Sequence, residues 1–303
     1  MTTEPVGTSP SRAGPELALW LAIAGILIAG IGFSWNPTQL AQGLAATFIA
    51  CALVHAALSY SPRRALVLFV ICITITFTME NLGAATGFPF GAYHFEVGAG
   101  LPSIGRIPII VGPLWFGGGY FAWIVASILL DGADRRLDRP FNVVALPIVA
   151  AFVVTQWDLV MEAPNATIAK AWIWHQGGGV FGVPLSNYLG WLLTAWLFFT
   201  VFALYLRRSF RLAPAGRTAS IKLQAVAILF YVSAGLTQFV PWMMGQTGDV
   251  ADAAGYHWRI GDIREATVAI LLLTMCFTAL LAAFRLYACW ADPDHRASKR
   301  NHQ

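Results

Sequence analysis

Charge is what this sequence has least of. Asp, Glu, Lys and Arg make up 11% of its 303 residues, against about 25% in a soluble domain. A water-facing surface cannot be covered with so little, so a soluble globular chain is excluded. The hydrophobic share of 57% likewise excludes a disordered or collagen-like chain. Cysteine is scarce as well. The four present (Cys51, Cys72, Cys276, Cys289) lie in or at the ends of apolar runs. No CxxC pairing or Cys/His spacing links them, so neither a disulfide framework nor a zinc site is indicated, and they read as small packing residues. The six histidines form none of the boxes that a di-iron oxygenase requires. Gly98-x-Gly100 lacks the later glycine and the preceding strand of a dinucleotide-binding turn. A net charge of +4 is too mild to be a nucleic-acid footprint.

What the sequence has instead is long apolar runs. A membrane-crossing helix needs about 20 of these residues, and eight runs qualify: 17–35, 40–60, 65–86, 107–130, 141–161, 184–206, 223–245 and 263–287. The expected fold is therefore an all-α integral membrane protein, a bundle of about eight transmembrane helices forming one domain over 17–290. Residues 1–16 form a flexible, proline-rich tail and residues 291–303 a polar one. No basic secretory start precedes the first run, which is expected to stay as an anchor. Fifteen of the nineteen Lys and Arg residues fall in one alternating set of loops and ends; the other set holds only Arg106, Lys170, Arg259 and Arg264. Positive loops stay cytoplasmic, so the chain reads as a multi-pass protein of the cell membrane with both termini inside.

Eight of the fifteen acids (Glu80, Glu96, Asp158, Glu162, Asp249, Asp252, Asp262 and Glu265), with three histidines and eight of the twelve tryptophans, fall on the other side. An aromatic belt would decorate both interfaces, so this bias points to a lined cavity or an amphipathic cap on the outer half. Two loops on that side, 87–113 and 163–184, are rich in Gly, Pro and aromatic residues. Irregular backbone at membrane depth is tolerated only where it is buried in protein or lines a cavity; both segments read as capping or re-entrant. Asn165-Ala166-Thr167 matches a glycosylation acceptor, a weak three-residue pattern.

Glu80 ends a charge-free stretch from Ala65 to Met79 and falls about one turn short of the outer boundary. Intramembrane carboxylates are costly and usually functional, and such a group can deliver a proton as a general acid. The structural alternative is an acid paired with Arg106 or Arg259. Asp158 and Glu162, four apart, project from one helix face, where they can share a proton, hold a water or bind a cation. The Arg259-Ile260-Gly261-Asp262-Ile263-Arg264-Glu265 stretch reads as an ion-pair network at a helix start. His94 and His175 lack a partner at ligand spacing, so no metal is expected.

Several of these residues recur in longer motifs. Glu80-Asn81-Leu82-Gly83 followed by Gly87-Phe88-Pro89-Phe90-Gly91-Ala92-Tyr93-His94-Phe95, then Pro113-Leu114-Trp115, then Trp157-Asp158-Leu159-Val160, and finally Gly179-Val180-Phe181-Gly182-Val183-Pro184 with Asn187-Tyr188-Leu189-Gly190-Trp191, together resemble the CruF-type carotenoid biosynthesis family. That family comprises membrane carotenoid 1,2-hydratases, among them the bisanhydrobacterioruberin hydratases and the γ-carotene 1′-hydroxylases. The resemblance covers the third to sixth runs. Where a second aspartate is expected after the Trp-Asp-Leu-Val stretch, this chain has Glu162.

The resemblance implies addition of water to the terminal C1–C2 double bond of an acyclic carotenoid end, without a redox cofactor, on a substrate that enters from the bilayer, with other membrane enzymes of the same pathway as expected partners. Chemistry then suggests Glu80 as the acid, with Asp158 and Glu162 orienting and deprotonating the water. Tyr93, His94, Trp115, Trp157, His175, Phe181, Asn187 and Trp191 are the expected substrate-binding residues. Two other classes fit the same acids: a transporter or lipid-binding protein with proton-linked carboxylates, and a carotenoid cyclase or isomerase.

Overall fold

A computed structural model describes residues 14, 17–25, 37–96, 102–212 and 220–291. Residues 17–25 are helical. The long helices that follow are α1 (Pro37–Tyr60), α2 (Pro62–Thr86), α3 (Val111–Leu129), α4 (Pro140–Ala163), α5 (Leu185–Leu212) and α6 (Ile221–Leu236). A short α7 (Phe239–Met243) leads to α8 (Ile260–Leu271), which passes through a π-helical turn, Leu272–Cys276, into α9 (Phe277–Ala291).

Among the described residues, six helical stretches are long and apolar enough to cross a membrane: Pro62–Thr86, Val111–Leu129, Pro140–Ile168, Leu185–Arg211, Ile221–Met243 and Ile260–Ala291. These are the third to eighth expected runs. The second is α1, whose apolar stretch Ala45–Tyr60 is shorter than a full crossing. Most of the first run, with Trp35, lies outside the described residues, as do Arg12 and both expected tails beyond Gly14 and Ala291.

Local chemistry sets the helix ends. Ser61 caps α2 by accepting the Arg64 N–H at 3.4 Å, with Pro62 in the first turn, where its missing N–H costs nothing. Gly87, at φ +83°, closes α2 in the left-handed conformation and donates its N–H to Gly83 O at 2.7 Å, a glycine cap. Ser220 caps α6 through the Leu223 N–H at 3.2 Å.

The middle of the bundle is α3, buried along nearly its whole length and packed against α1, α2, α4, α6 and α9. It is built from aromatic residues and the run Gly117-Gly118-Gly119. A Cβ at Gly117 would lie 2.9 Å from the Phe48 ring, and one at Gly119 would lie 3.1 Å from Phe198, so these glycines let neighbouring rings reach the helix backbone. At the end opposite the acids expected to be functional, Asp134 is buried and takes hydrogen bonds at 2.5 Å from both Tyr60 and Ser127, while the Arg135 guanidinium covers the Tyr60 ring.

The two glycine-rich segments meet. Strand β1 (Tyr93–Phe95) from the first pairs antiparallel with β4 (Trp172–Trp174) from the second, in the register Tyr93↔Trp174, His94↔Ile173, Phe95↔Trp172. Between them in sequence, β2 (Ser103–Ile104) and β3 (Ile107–Pro108) form a small hairpin. A further hairpin joins β5 (Asp249–Ala251) to β6 (His257–Arg259) before α8. Segments that the sequence marks as irregular thus contain paired backbone, which satisfies N–H and C=O groups that the surrounding bundle could not.

Phe90 fixes the β1 segment to the bundle. Its ring is 2% exposed and sits between two helices at glycines: a Cβ at Gly83 of α2 would lie 2.7 Å from it, and one at Gly190 of α5 would lie 2.4 Å from it. Real Cβ atoms do not approach that closely, so either alanine would push the ring out of its slot. Overpacking of this kind costs about 1–3 kcal/mol. Gly190→Ala is expected to lower the thermal unfolding temperature in detergent, whereas Gly179→Ala, with nothing within 4 Å of its added methyl, should leave it unchanged. Equal effects from the two would show that Phe90 is not a packing constraint.

Candidate functional site

Four helices, α2 to α5, and the paired strands surround a cavity of about 110 Å³, lined by Glu80, Asp158 and Glu162, by five tryptophans (Trp115, Trp157, Trp172, Trp174, Trp191), and by Phe90, Tyr93, Phe95, Val111, Leu114, Met161, Asn165 and Asn187. One water-sized group needs roughly 10–15 Å³ on this measure, so the cavity holds several such groups, enough for the end of a long molecule but not its length.

Glu80, Asp158 and Glu162 are 6%, 2% and 3% exposed. Burying such groups is tolerable only when donors meet them, and each has its own set. Glu80 accepts from the Tyr93 hydroxyl at Oε2 and from Trp115 Nε1 at Oε1, 2.9 Å away. Glu162 Oε1 accepts from Trp172 Nε1 at 2.5 Å and Trp174 Nε1 at 2.7 Å. Asp158 Oδ2 accepts from Asn187 Nδ2 at 2.8 Å, and Asp158 lies one helical turn from Glu162 on the same face of α4. Burial, reinforced by the Glu80 carboxylate beside it, pushes the Tyr93 hydroxyl above its ordinary value, so it remains a donor.

The backbone explains this placement. Glu80 and Gly83 are three apart on α2, as are Asn187 and Gly190 on α5, so each pair shares a helix face: the glycine admits Phe90 and the polar residue reaches the cavity. In β1 and β4 alternate residues face one way. Tyr93 and Phe95, with Trp172 and Trp174, point into the cavity, and His94 points out. Aromatic faces complete the wall: Trp115 stacks on Trp191 with ring centres 3.6 Å apart and planes at 15°, and Trp157 tilts against Trp191 at 5.9 Å.

Of the expected site residues, the three acids, Tyr93, Trp115, Trp157, Asn187 and Trp191 come together here. His94, His175 and Phe181 do not. His94 and His175 are exposed and bond to each other at 2.7 Å, with Glu96 on the far nitrogen of His94 at 2.9 Å. Phe181 packs against Trp258 and offers its carbonyl to Thr167. Arg106 and Arg259 are engaged away from Glu80: Arg106 donates to the Ala84 carbonyl, and Arg259 lies 3.8 Å from Asp262 on an exposed surface. Arg264 leaves the expected ion-pair network and donates to Gln246 and Gln238.

Sequence reasoning overlooked Trp172 and Trp174 as site residues, although a Trp-x-Trp spacing puts both indoles on one face of a strand. Phe90, Phe95, Val111, Leu114, Met161 and Asn165 carried no such signal. No group of three or more His, Cys, Asp or Glu residues is arranged to hold a metal ion among the described residues.

Residues 38–251, which include every residue lining this cavity, match the family described as "Carotenoid biosynthesis protein". The chain is also similar to the bisanhydrobacterioruberin hydratase of Haloarcula japonica, at 27% identity over 132 residues, which are 44% of this chain and 42% of that protein. The match thus spans less than half of the relative's length. No solved structure matches the chain.

Both indoles of β4 converge on one oxygen of Glu162, so removing them in turn should not be additive. Hydrogen bonds to charged groups contribute about 1.5–3 kcal/mol. Trp172→Phe or Trp174→Phe alone leaves one donor and is expected to cost less than this. The double variant strips the oxygen and should cost more than the two singles combined, read from thermal unfolding as a double-mutant cycle. Simple additivity would mean that the two bonds are independent.

Proposed function

We propose that this chain, which belongs to the carotenoid biosynthesis protein family, is a hydratase that adds water to the terminal C1–C2 double bond of an acyclic carotenoid end, giving a tertiary alcohol. The observation that carries the reading is one cavity combining three buried carboxyl groups with a wall of stacked indoles. Protonation of an alkene needs an acid held away from water, the resulting tertiary cation needs electron-rich faces, and the attacking water needs a base. The substrate is as apolar as lipid, so it enters from the bilayer and places only its end in the cavity. No redox step occurs and no redox cofactor is needed.

The hydrogen bonds favour an order of roles opposite to the one the sequence suggests. Asp158 and Glu162 are buried in one cavity a helical turn apart, where two bare carboxylates repel and a shared proton relieves the repulsion, so we take this pair as the proton store. Glu80 accepts from Tyr93 and Trp115 on its two oxygens, an arrangement that suits an ionised acceptor. In the proposed cycle the Asp158–Glu162 pair protonates C2, and the C1 cation forms against the indole faces, each contributing about 0.5–2 kcal/mol. A lone pair of the water then forms the C1–O bond. Glu80 takes the proton released, and exchange with water returns it to the pair.

Expression in a lycopene-producing host should yield a more polar pigment heavier by one water. An isomer of unchanged mass would indicate a cyclase or isomerase instead, and unchanged pigment would sink the proposal. In D₂O, Glu80→Gln should return substrate carrying deuterium at C2 but little alcohol, because the cation still forms and reverts. Asp158→Asn combined with Glu162→Gln should give neither, with the rate down by about 10²–10⁴-fold. The converse pattern would exchange the roles.

The charge bias supports a cell-membrane orientation with both termini cytoplasmic. In a background with the native cysteines replaced, an impermeant thiol reagent applied to intact cells should then label Gly179→Cys and spare Lys222→Cys. Labelling of Lys222→Cys alone would invert the protein.

A further inference from the structure

Lining the cavity is one buried donor with no hydrogen-bond partner among the described residues. Trp115, Trp123, Trp172, Trp174 and Trp258 each donate the indole N–H to a side-chain oxygen. Trp157 is the exception: its Nε1 is buried and has no hydrogen-bond partner among the described residues, and its side chain lines the cavity. An indole nitrogen can only donate, and a buried donor left unmatched destabilises the fold. The ring is held in place. It tilts against Trp191, and it lies beside Gly118 of α3, where a Cβ would already touch the indole at 4.0 Å. The N–H is therefore a fixed donor, without a partner among the described residues, in the cavity that also holds the three carboxyls.

An oxygen that can accept from Trp157 and donate to a carboxylate completes both sets, and water is the smallest species that does so. We propose that Trp157 Nε1–H holds the attacking water, and afterwards the hydroxyl of the product, by donating to its oxygen. This rests on the hydratase reading. The water keeps one lone pair for the N–H and uses the other to form the bond to C1, while its proton passes to the carboxylate. A water fixed in this way captures the cation before it can lose a proton from C2 or from a neighbouring methyl, so the Trp157 N–H governs how the cation partitions, whereas the ring face bears on how fast it forms.

The test is Trp157→Phe in D₂O, counting alcohol against deuterated substrate and double-bond isomers. The ratio of alcohol to the other products should fall at least about tenfold, whatever the loss of the indole face does to total cation formation. Benzothienylalanine at position 157 keeps the indole's shape without the N–H. It should give the same shift, and it serves as the test if the phenylalanine variant does not fold. An unchanged ratio in either folded variant would overturn the proposal, as would a parallel fall of alcohol and exchange, which would mark a structural role. Absence of alcohol from the unsubstituted protein would overturn the hydratase reading, and this inference with it.

Discussion

A carboxylate removed from water must be met by donors, and in this chain that requirement ties the irregular segments to the bundle. The Tyr93 hydroxyl bonds Glu80, the Trp172 and Trp174 indoles bond Glu162, and β1 pairs with β4. The acids sit on α2 and α4, whereas most of their donors sit on strands. Neither layer is complete alone: the helices would carry bare charges at membrane depth, and the strands would expose indoles and a tyrosine with no acceptor. Packing reinforces the same seam, since Phe90 locks into two helices at Gly83 and Gly190.

Much of this was legible in the sequence, and the boundary between what could and could not be read is physical. Apolar length located six helices long enough to cross a membrane, and an isolated charge after fifteen uncharged residues singled out Glu80. Helical spacing placed Asp158 and Glu162 on one face. The strands were not legible because three residues carry too little pattern to announce a strand, and the pairing of residue 93 with residue 174 is set by where the helices deliver the two segments. His94 and His175 were expected in the cavity because both lie in the unusual loops. Strand alternation decides otherwise for His94: once Tyr93 faces in, its neighbour must face out. The proposed order of acid and base was also beyond the sequence, because it is argued from which donors each carboxyl meets.

The cavity also limits what the protein can recognise. Its volume admits an end group, and its lining is aromatic with polar atoms already engaged on the carboxyls. Under the proposed function, selection rests on the shape and unsaturation of that end, with the remainder of the molecule left to the surrounding apolar surfaces. Such a site discriminates poorly between long substrates that share the same terminus.

The spacing of acids and donors along the chain has a consequence for biosynthesis. Glu80 finds its partners 13 and 35 residues later, and Glu162 finds its two indoles 10 and 12 residues later. Each carboxyl can therefore be neutralised by its own neighbourhood as the polypeptide leaves the ribosome and enters the bilayer. Only the strand pair, whose residues lie about eighty positions apart, waits for the second neighbourhood to arrive. The charged groups are thus shielded during insertion before the cavity exists as a whole, and the late step joins two halves that are already electrostatically quiet.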